Sequence, residues 1–126
     1  MKTIIDSSAW LEYFTNGQLA SKCASFIENA NETDFLTPTI VLFEVYKKVK
    51  REKGREAAVQ VAAQISGRTT LIQLTDVIAI QAAETSLTHN LKIADAIIKA
   101  TADELNAILV TCDSDFKGLE NVRLIQ

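Results

Sequence analysis

Ala107-Ile108-Leu109-Val110-Thr111 is the clearest strand in the sequence, and Cys112-Asp113-Ser114-Asp115 follows it directly. The run is apolar and rich in branched side chains, which favours extended backbone. Outward from it, helices and strands alternate. Asp113 to Gly118 reads as a turn or short helix, and Val122-Arg123-Leu124-Ile125 as a further strand. On the other side, residues 92–104 predict a helix with Ile93, Ile97, Ala100 and Thr101 on one side, after a break at His89-Asn90. Thr75 or Asp76 caps the preceding helix, which reaches about Leu87. Thr69 to Leu74 is a strand, and a helix from about Arg55 to Ile65 stops near Gly67.

Nearer the N-terminus, Thr37-Pro38 marks a helix start, with Thr as cap and Pro in the first turn. Ile40, Val41, Glu44, Val45 and Val49 lie along that helix, and Gly54 ends it. Phe35-Leu36 is a brief strand. A helix over Leu19 to Ala30 turns Cys23, Phe26, Ile27 and Ala30 inward. Asn16-Gly17 breaks an earlier helix carrying Trp10, Leu11 and Phe14, which Ser7 or Asp6 caps. Thr3-Ile4-Ile5 is a buried first strand ending at Asp6. The alternation predicts an α/β fold in one domain, with a mainly parallel sheet and helices on both faces.

Bulk properties narrow the function. With 126 residues, 48% hydrophobic and 23% charged, the chain is long and apolar enough for one real core. A net charge of −3 argues against coating nucleic acid by bulk charge. Charge is segregated, however: residues 47–55 hold six of the thirteen basic side chains, Lys47, Lys48, Lys50, Arg51, Lys53 and Arg55. That run is either a solvated helix face or a local phosphate-binding patch. Cys23 and Cys112 match no zinc or redox spacing, so free thiols in a reducing compartment are expected. No signal peptide or membrane-spanning run is seen, and a cytoplasmic protein without membrane contact is the expectation. His89 falls at a helix end, where a cation suits the dipole. No Gly-x-Ser-x-Gly and no phosphate-cradling Gly-rich loop occurs.

The chemistry lies in four acids. Asp6 and Asp113 directly follow strands, and ligands bind at the carboxyl ends of parallel strands. Asp115 stands two residues beyond. Glu44 and Asp95 interrupt apolar helix segments, Ile40-Val41-Leu42-Phe43-Glu44-Val45 and Ile93-Ala94-Asp95-Ala96-Ile97-Ile98. Either acid alone is compatible with a solvent-facing position. Together with the strand-end acids they can converge on one cleft. Crowded carboxylates repel one another, and a divalent cation removes the conflict. Such a site suits phosphoester hydrolysis.

Four segments carry a resemblance. Ile5-Asp6-Ser7-Ser8-Ala9-Trp10-Leu11, Thr37-Pro38 with Glu44-Val45, Leu91 to Ala102 around Asp95, and Leu109-Val110-Thr111-Cys112-Asp113-Ser114-Asp115-Phe116 resemble the signature segments of the PIN-domain family, in order and across nearly the whole chain. Within it they look closest to the VapC toxins of toxin–antitoxin pairs. The resemblance implies a five-stranded parallel sheet flanked by helices and an endoribonuclease dependent on Mg²⁺ or Mn²⁺, often a homodimer held inactive by an antitoxin. It implies that Asp6, Glu44, Asp95 and Asp113 are the catalytic acids. Asp6, Asp95 and Asp113 would hold metal, with Asp115 as a secondary ligand. Ser7 and Thr111 match hydroxyl residues that orient those carboxylates. Lys47, Lys48, Lys50 and Arg51 would contact RNA or the antitoxin.

The sequence departs from the family pattern at two places. Asn90 and Lys92 stand where Gly and a small cap or Pro are common before the Asp95 helix; Asn tolerates left-handed backbone and can replace Gly. Cys112 stands where larger polar or basic residues are common, removing one substrate contact. The alternatives are a PIN nuclease that processes RNA without an antitoxin, a non-catalytic PIN binding module, and a phosphoacceptor domain of the receiver type. The last needs paired acids after the first strand and a Lys after the last; Asp6 stands alone, and Glu44 and Asp95 would have no role.

Overall fold

The computed structural model describes all 126 residues. Five strands, β1 (Lys2–Ile5), β2 (Phe35–Pro38), β3 (Thr70–Ile72), β4 (Ala107–Thr111) and β5 (Val122–Leu124), form one sheet in the order β3-β2-β1-β4-β5. Every neighbouring pair is parallel. Six helices connect them: α1 (Ser7–Phe14), α2 (Ala20–Ile27), α3 (Thr39–Lys53), α4 (Arg55–Arg68), α5 (Asp76–His89) and α6 (Ile93–Glu104). Right-handed crossovers place α1 to α4 on one face as the chain steps outward from β1 to β3. The return from β3 to β4 runs in the opposite direction, which places α5 and α6 on the other. The sequence reading of an α/β fold with a parallel sheet covered on both faces holds.

Ile4, Ile5, Leu109 and Val110 on the two central strands are buried on both faces, which is why neither strand shows polar alternation. They belong to a single cluster of 25 buried residues that also takes in Trp10, Val41, Val45 and Phe116. No helix is long and apolar enough to cross a membrane.

Several local expectations shift. Thr37 does not cap α3. It is a strand residue paired with Leu71, and its hydroxyl meets that of Thr69 at 2.7 Å, so the helix begins only after Pro38. Helix α4 runs through Gly67 to Arg68, and β3 is shorter than Thr69 to Leu74. Helix α2 ends at Ile27, so Ala30 lies outside it. Thr75, as expected, caps α5, its hydroxyl oxygen accepting from Ile78 N–H at 3.2 Å. Asn90 takes the left-handed conformation, φ 54°, in place of Gly. Asn106 and Asn121 do the same just before β4 and β5. Ile93, grouped by period with Ile97, Ala100 and Thr101, is 79% exposed, because it opens α6 ahead of the packed part of that helix.

Candidate active site

β1 and β4 lie side by side where the crossovers diverge, with β2 and β3 beyond β1 and β5 beyond β4. At such a point the loops leaving two neighbouring strands part and open a crevice at their carboxyl ends. Asp6 and Asp113 stand on its two walls. Asp6 follows β1, and its N–H donates to Val110 O of β4 at 2.8 Å.

The Asp6 side chain is fixed across that seam. Its Oδ2 accepts from the hydroxyls of Ser8 and Thr111, both at 2.7 Å. Turned toward β4, the carboxylate gives no capping bond to α1, although Asp6 occupies the N-cap position. Cys112 N–H donates to Ser8 Oγ at 2.9 Å, and Asp113 N–H to Thr111 Oγ1 at 2.9 Å. Two hydroxyls therefore join the walls. Thr111 was expected in such a role. Ser8 was not, and its only sequence signal is its place two residues after Asp6.

The other acids enter from three elements. Asp95 lies in the first turn of α6. Asp115 lies in a 3₁₀ turn, Ser114–Phe116, and its N–H donates to Asp113 Oδ1 at 2.9 Å. Carboxylate oxygens of Asp95, Asp113 and Asp115 lie within 4.8 Å of one another. Glu44 approaches from α3, its Oε1 accepting the Ser7 hydroxyl at 3.0 Å. The structure thus brings Asp6, Glu44, Asp95, Asp113 and Asp115 to one crevice, with Ser7 on Glu44 and Thr111 on Asp6.

The acids feel one another. Burial raises the Asp6 carboxyl above its ordinary 3.8, against the lowering effect of the Ser8 and Thr111 hydroxyls and of the Ser7 backbone N–H, and Asp113 adds repulsion. Burial also raises Glu44; the Ser7 hydroxyl opposes this, and repulsion from Asp6 and Asp113 adds to it. Asp95 is pushed up to about 6, by burial first and then by Asp113, Asp6, Glu44 and Asp115. Asp6 Oδ1 is buried without a hydrogen-bond partner, a condition shared only with Trp10 Nε1. An orphaned carboxylate oxygen beside three clustered carboxylates is an arrangement that a hard divalent cation satisfies. Asp95, Asp113 and Asp115 are the three whose oxygens lie close enough together to share one ion, with Asp6 standing beside that group.

The PIN domain model matches residues 3–121 of the sequence. The chain belongs to the PIN-domain family. No curated protein matches it significantly in sequence. Among solved structures it is similar to a chain of a toxin–antitoxin complex from Klebsiella pneumoniae, at 21% identity and a TM-score of 0.80, covering 99% of this chain and 98% of that one. It is also similar to VapC20 of Mycobacterium tuberculosis, a Sarcin–Ricin loop cleaving toxin, at 20% identity and a TM-score of 0.78, over 94% and 95% of the two chains. A chain of DNA-bound VapBC2 from Rickettsia felis matches at 18% identity and a TM-score of 0.74, over 98% and 97%. At these identities the likeness is one of fold.

In this PIN domain the basic run adjoins one of the acids, Glu44. Lys47, Lys48, Lys50 and Arg51 are exposed on α3. Ser7, Phe43, Glu44, Lys47, Lys48 and Arg51 line a common cleft of about 260 Å³. Lys50 lines the neighbouring groove with Lys47 and Arg51. Lys48 pairs with Glu52 at 3.2 Å, both side chains about half in water. Cys112 turns away: its Sγ lies 3.6 Å from Sγ of Cys23 on α2, a contact that separation in sequence concealed. Both thiols are free. Burial, then the neighbouring thiol, pushes Cys112 up to about 12, and burial raises Cys23, so both hold their protons.

Proposed function

We propose that this PIN domain is an endoribonuclease dependent on Mg²⁺ or Mn²⁺ and the toxin of a VapBC-type pair. The observation that carries the reading is the cluster of Asp95, Asp113 and Asp115 at the β1/β4 switch point, with Asp6 and Glu44 near enough to repel Asp95 and Asp6 Oδ1 buried and unpartnered. Asp6, Asp95, Asp113 and Asp115 would hold the cation, which when bound supplies charge for the phosphate oxygens and makes a bound water more acidic. The protein's own part is positioning. Ser8 and Thr111 fix Asp6 through Oδ2 and leave Oδ1 for ligation. Ser7 fixes Glu44 through Oε1, so that Oε2 is left to accept a proton from the attacking water. Lys47, Lys48, Lys50 and Arg51 draw the RNA backbone to a cleft that the acids alone would repel.

An antitoxin is the proposed regulator, since the similar structures include toxin–antitoxin complexes. A homodimer is the proposed assembly. Val77, Ile80 and Leu87 are exposed along α5, and Leu74 and Ile93 are exposed at its flanks. Such a face resembles an interface core more than a solvated helix. The cytoplasm, where RNA is present and thiols stay reduced, is the proposed compartment.

Cleavage of total RNA by the wild type and by Asp6→Asn, with Mg²⁺ or Mn²⁺ and with chelator, tests the reading. Discrete cleavage by the wild type alone, lost with chelator, supports it. Equal cleavage by both proteins overturns the site.

A further inference from the structure

Phe43 is the only exposed aromatic residue in the chain, at 57% exposure; the other phenylalanines, both tyrosines and Trp10 are buried or partly buried. A single exposed apolar side chain needs no explanation by itself. Its setting does. Phe43 precedes Glu44 on α3 and shares the cleft that Ser7, Glu44, Lys47, Lys48 and Arg51 line. One turn on, the Lys47 ammonium lies 5.6 Å from the ring centroid. The cleft wall therefore presents an aromatic ring with the Lys47 ammonium over it, the apolar Leu11, and two further cations, Lys48 and Arg51, beside one carboxylate of the acid site. Phe43 also lines the larger groove of about 820 Å³ with Leu42, Tyr46, Lys47, Lys50 and Arg51, so cations border the ring in both clefts; a polyanion with flat bases matches ring and cations together.

We propose that Phe43 is a stacking platform for an unpaired base of the RNA, flanking the phosphate that is cut. The proposal rests on the ribonuclease reading and deepens it. Lys47 and Arg51 hold the phosphates on either side of the stacked base, and Glu44 next to Phe43 in the chain sets the distance from that base to the reacting phosphate. Stacking requires a free base face, so single-stranded segments and loops are the substrates selected. Every base has such a face, so the platform places the strand without choosing its sequence.

The test measures binding of a short mixed-sequence single-stranded RNA carrying 2-aminopurine, in an Asp6→Asn background that prevents cleavage. Phe43→Leu retains apolar bulk and loses the aromatic face; Phe43→Tyr retains the face. The expected result is quenching of 2-aminopurine on binding by the parent and by Phe43→Tyr. Phe43→Leu should lose the quenching and bind roughly 5- to 150-fold more weakly, the range for loss of one stacked base. With Asp6 restored, Phe43→Leu should raise KM and leave kcat nearly unchanged. Equal quenching and affinity in Phe43→Leu overturns the proposal. So does unchanged RNA binding with weakened capture of an antitoxin, which would make the ring a protein anchor. Quenching that depends on Phe43 in a wild type unable to cleave RNA with any divalent ion would leave the platform standing and remove the nuclease reading instead.

Discussion

Thr111 donates its hydroxyl hydrogen to Asp6 Oδ2 at 2.7 Å, joining the end of β4 to the end of β1 across 105 positions of sequence. The bond fixes which oxygen of Asp6 stays free. Thr111→Val keeps the shape and removes the donor. Partners of ligating groups are worth about 10- to 100-fold in metal affinity or activity. Thr111→Val should lose about that much in Mn²⁺ affinity, and Thr111→Ser should lose little. Unchanged Mn²⁺ titration of the Val variant would show that Asp6 does not depend on this bond.

Asp95→Asn should move activity and stability in opposite directions. It removes a ligand charge at nearly constant volume, so cleavage should be abolished. It also removes a carboxylate that Asp113, Asp6, Glu44 and Asp115 repel. In chelator at neutral pH the variant should therefore melt a few degrees above the wild type. A lower melting point would show that Asp95 makes a stabilising contact that outweighs the repulsion.

The same repulsion gives a pH dependence. Asp95 is raised from 3.8 to about 6, so between those values the folded state binds more protons than the unfolded one. Stability from this group is then fully present below the lower value and is lost as pH rises through the upper one. Without metal, the site's contribution should fall from pH 4 to pH 7. Mg²⁺ replaces the protons, so its melting-point gain should be small at pH 5 and large at pH 7.5. Calorimetry with and without Mg²⁺ reads this directly; a gain that does not change with pH would contradict it.

Ile80→Glu with Leu87→Glu charges the exposed apolar side of α5 and touches no residue of the crevice. Light scattering should report a dimer for the wild type and a monomer for the double variant. A monomeric wild type would remove the assembly proposed above.

Lys99 is buried, its side chain 5% exposed, and its ammonium pairs with Asp103, one turn on along α6. Asp103→Ala leaves that charge unpaired and should cost about 1–2 kcal/mol. That is below the ~3–5 kcal/mol of a fully buried pair, because 35% of the Asp103 side chain remains in water. Lys99→Met should be neutral or stabilising. Urea denaturation of both variants settles the order, and a Met variant weaker than the Ala variant would reverse it.

Asp6 and Asp113 were legible because local apolar runs reveal where strands end, and a parallel sheet gathers those ends on one side. Glu44 and Asp95 were legible because an acid inside an apolar helix segment asks for a reason. What stayed hidden were choices of partner. Nothing local says that Ser8 reaches Thr111 and Asp6, that Cys112 meets Cys23, or that the Thr37 hydroxyl prefers Thr69 to the start of α3. Ile93 shows a different limit. Helical period gives the side of a helix a residue occupies, but not how far the neighbouring element extends to cover it. Phe43 was passed over because an aromatic among Ile40, Val41 and Leu42 reads as core, and only the packing of α3 shows it in water.

The sheet order has a consequence for synthesis. β1 is made first yet sits at the centre, between β2 and a strand that begins only at Ala107. A growing chain that stops short of β4 carries Asp6, Glu44 and Asp95 but has neither the second wall nor the Thr111 hydroxyl that orients Asp6. The crevice can close only once the chain has been made past Asp115, so copies that stop before Ala107 lack Asp113, Asp115 and the Thr111 bond to Asp6.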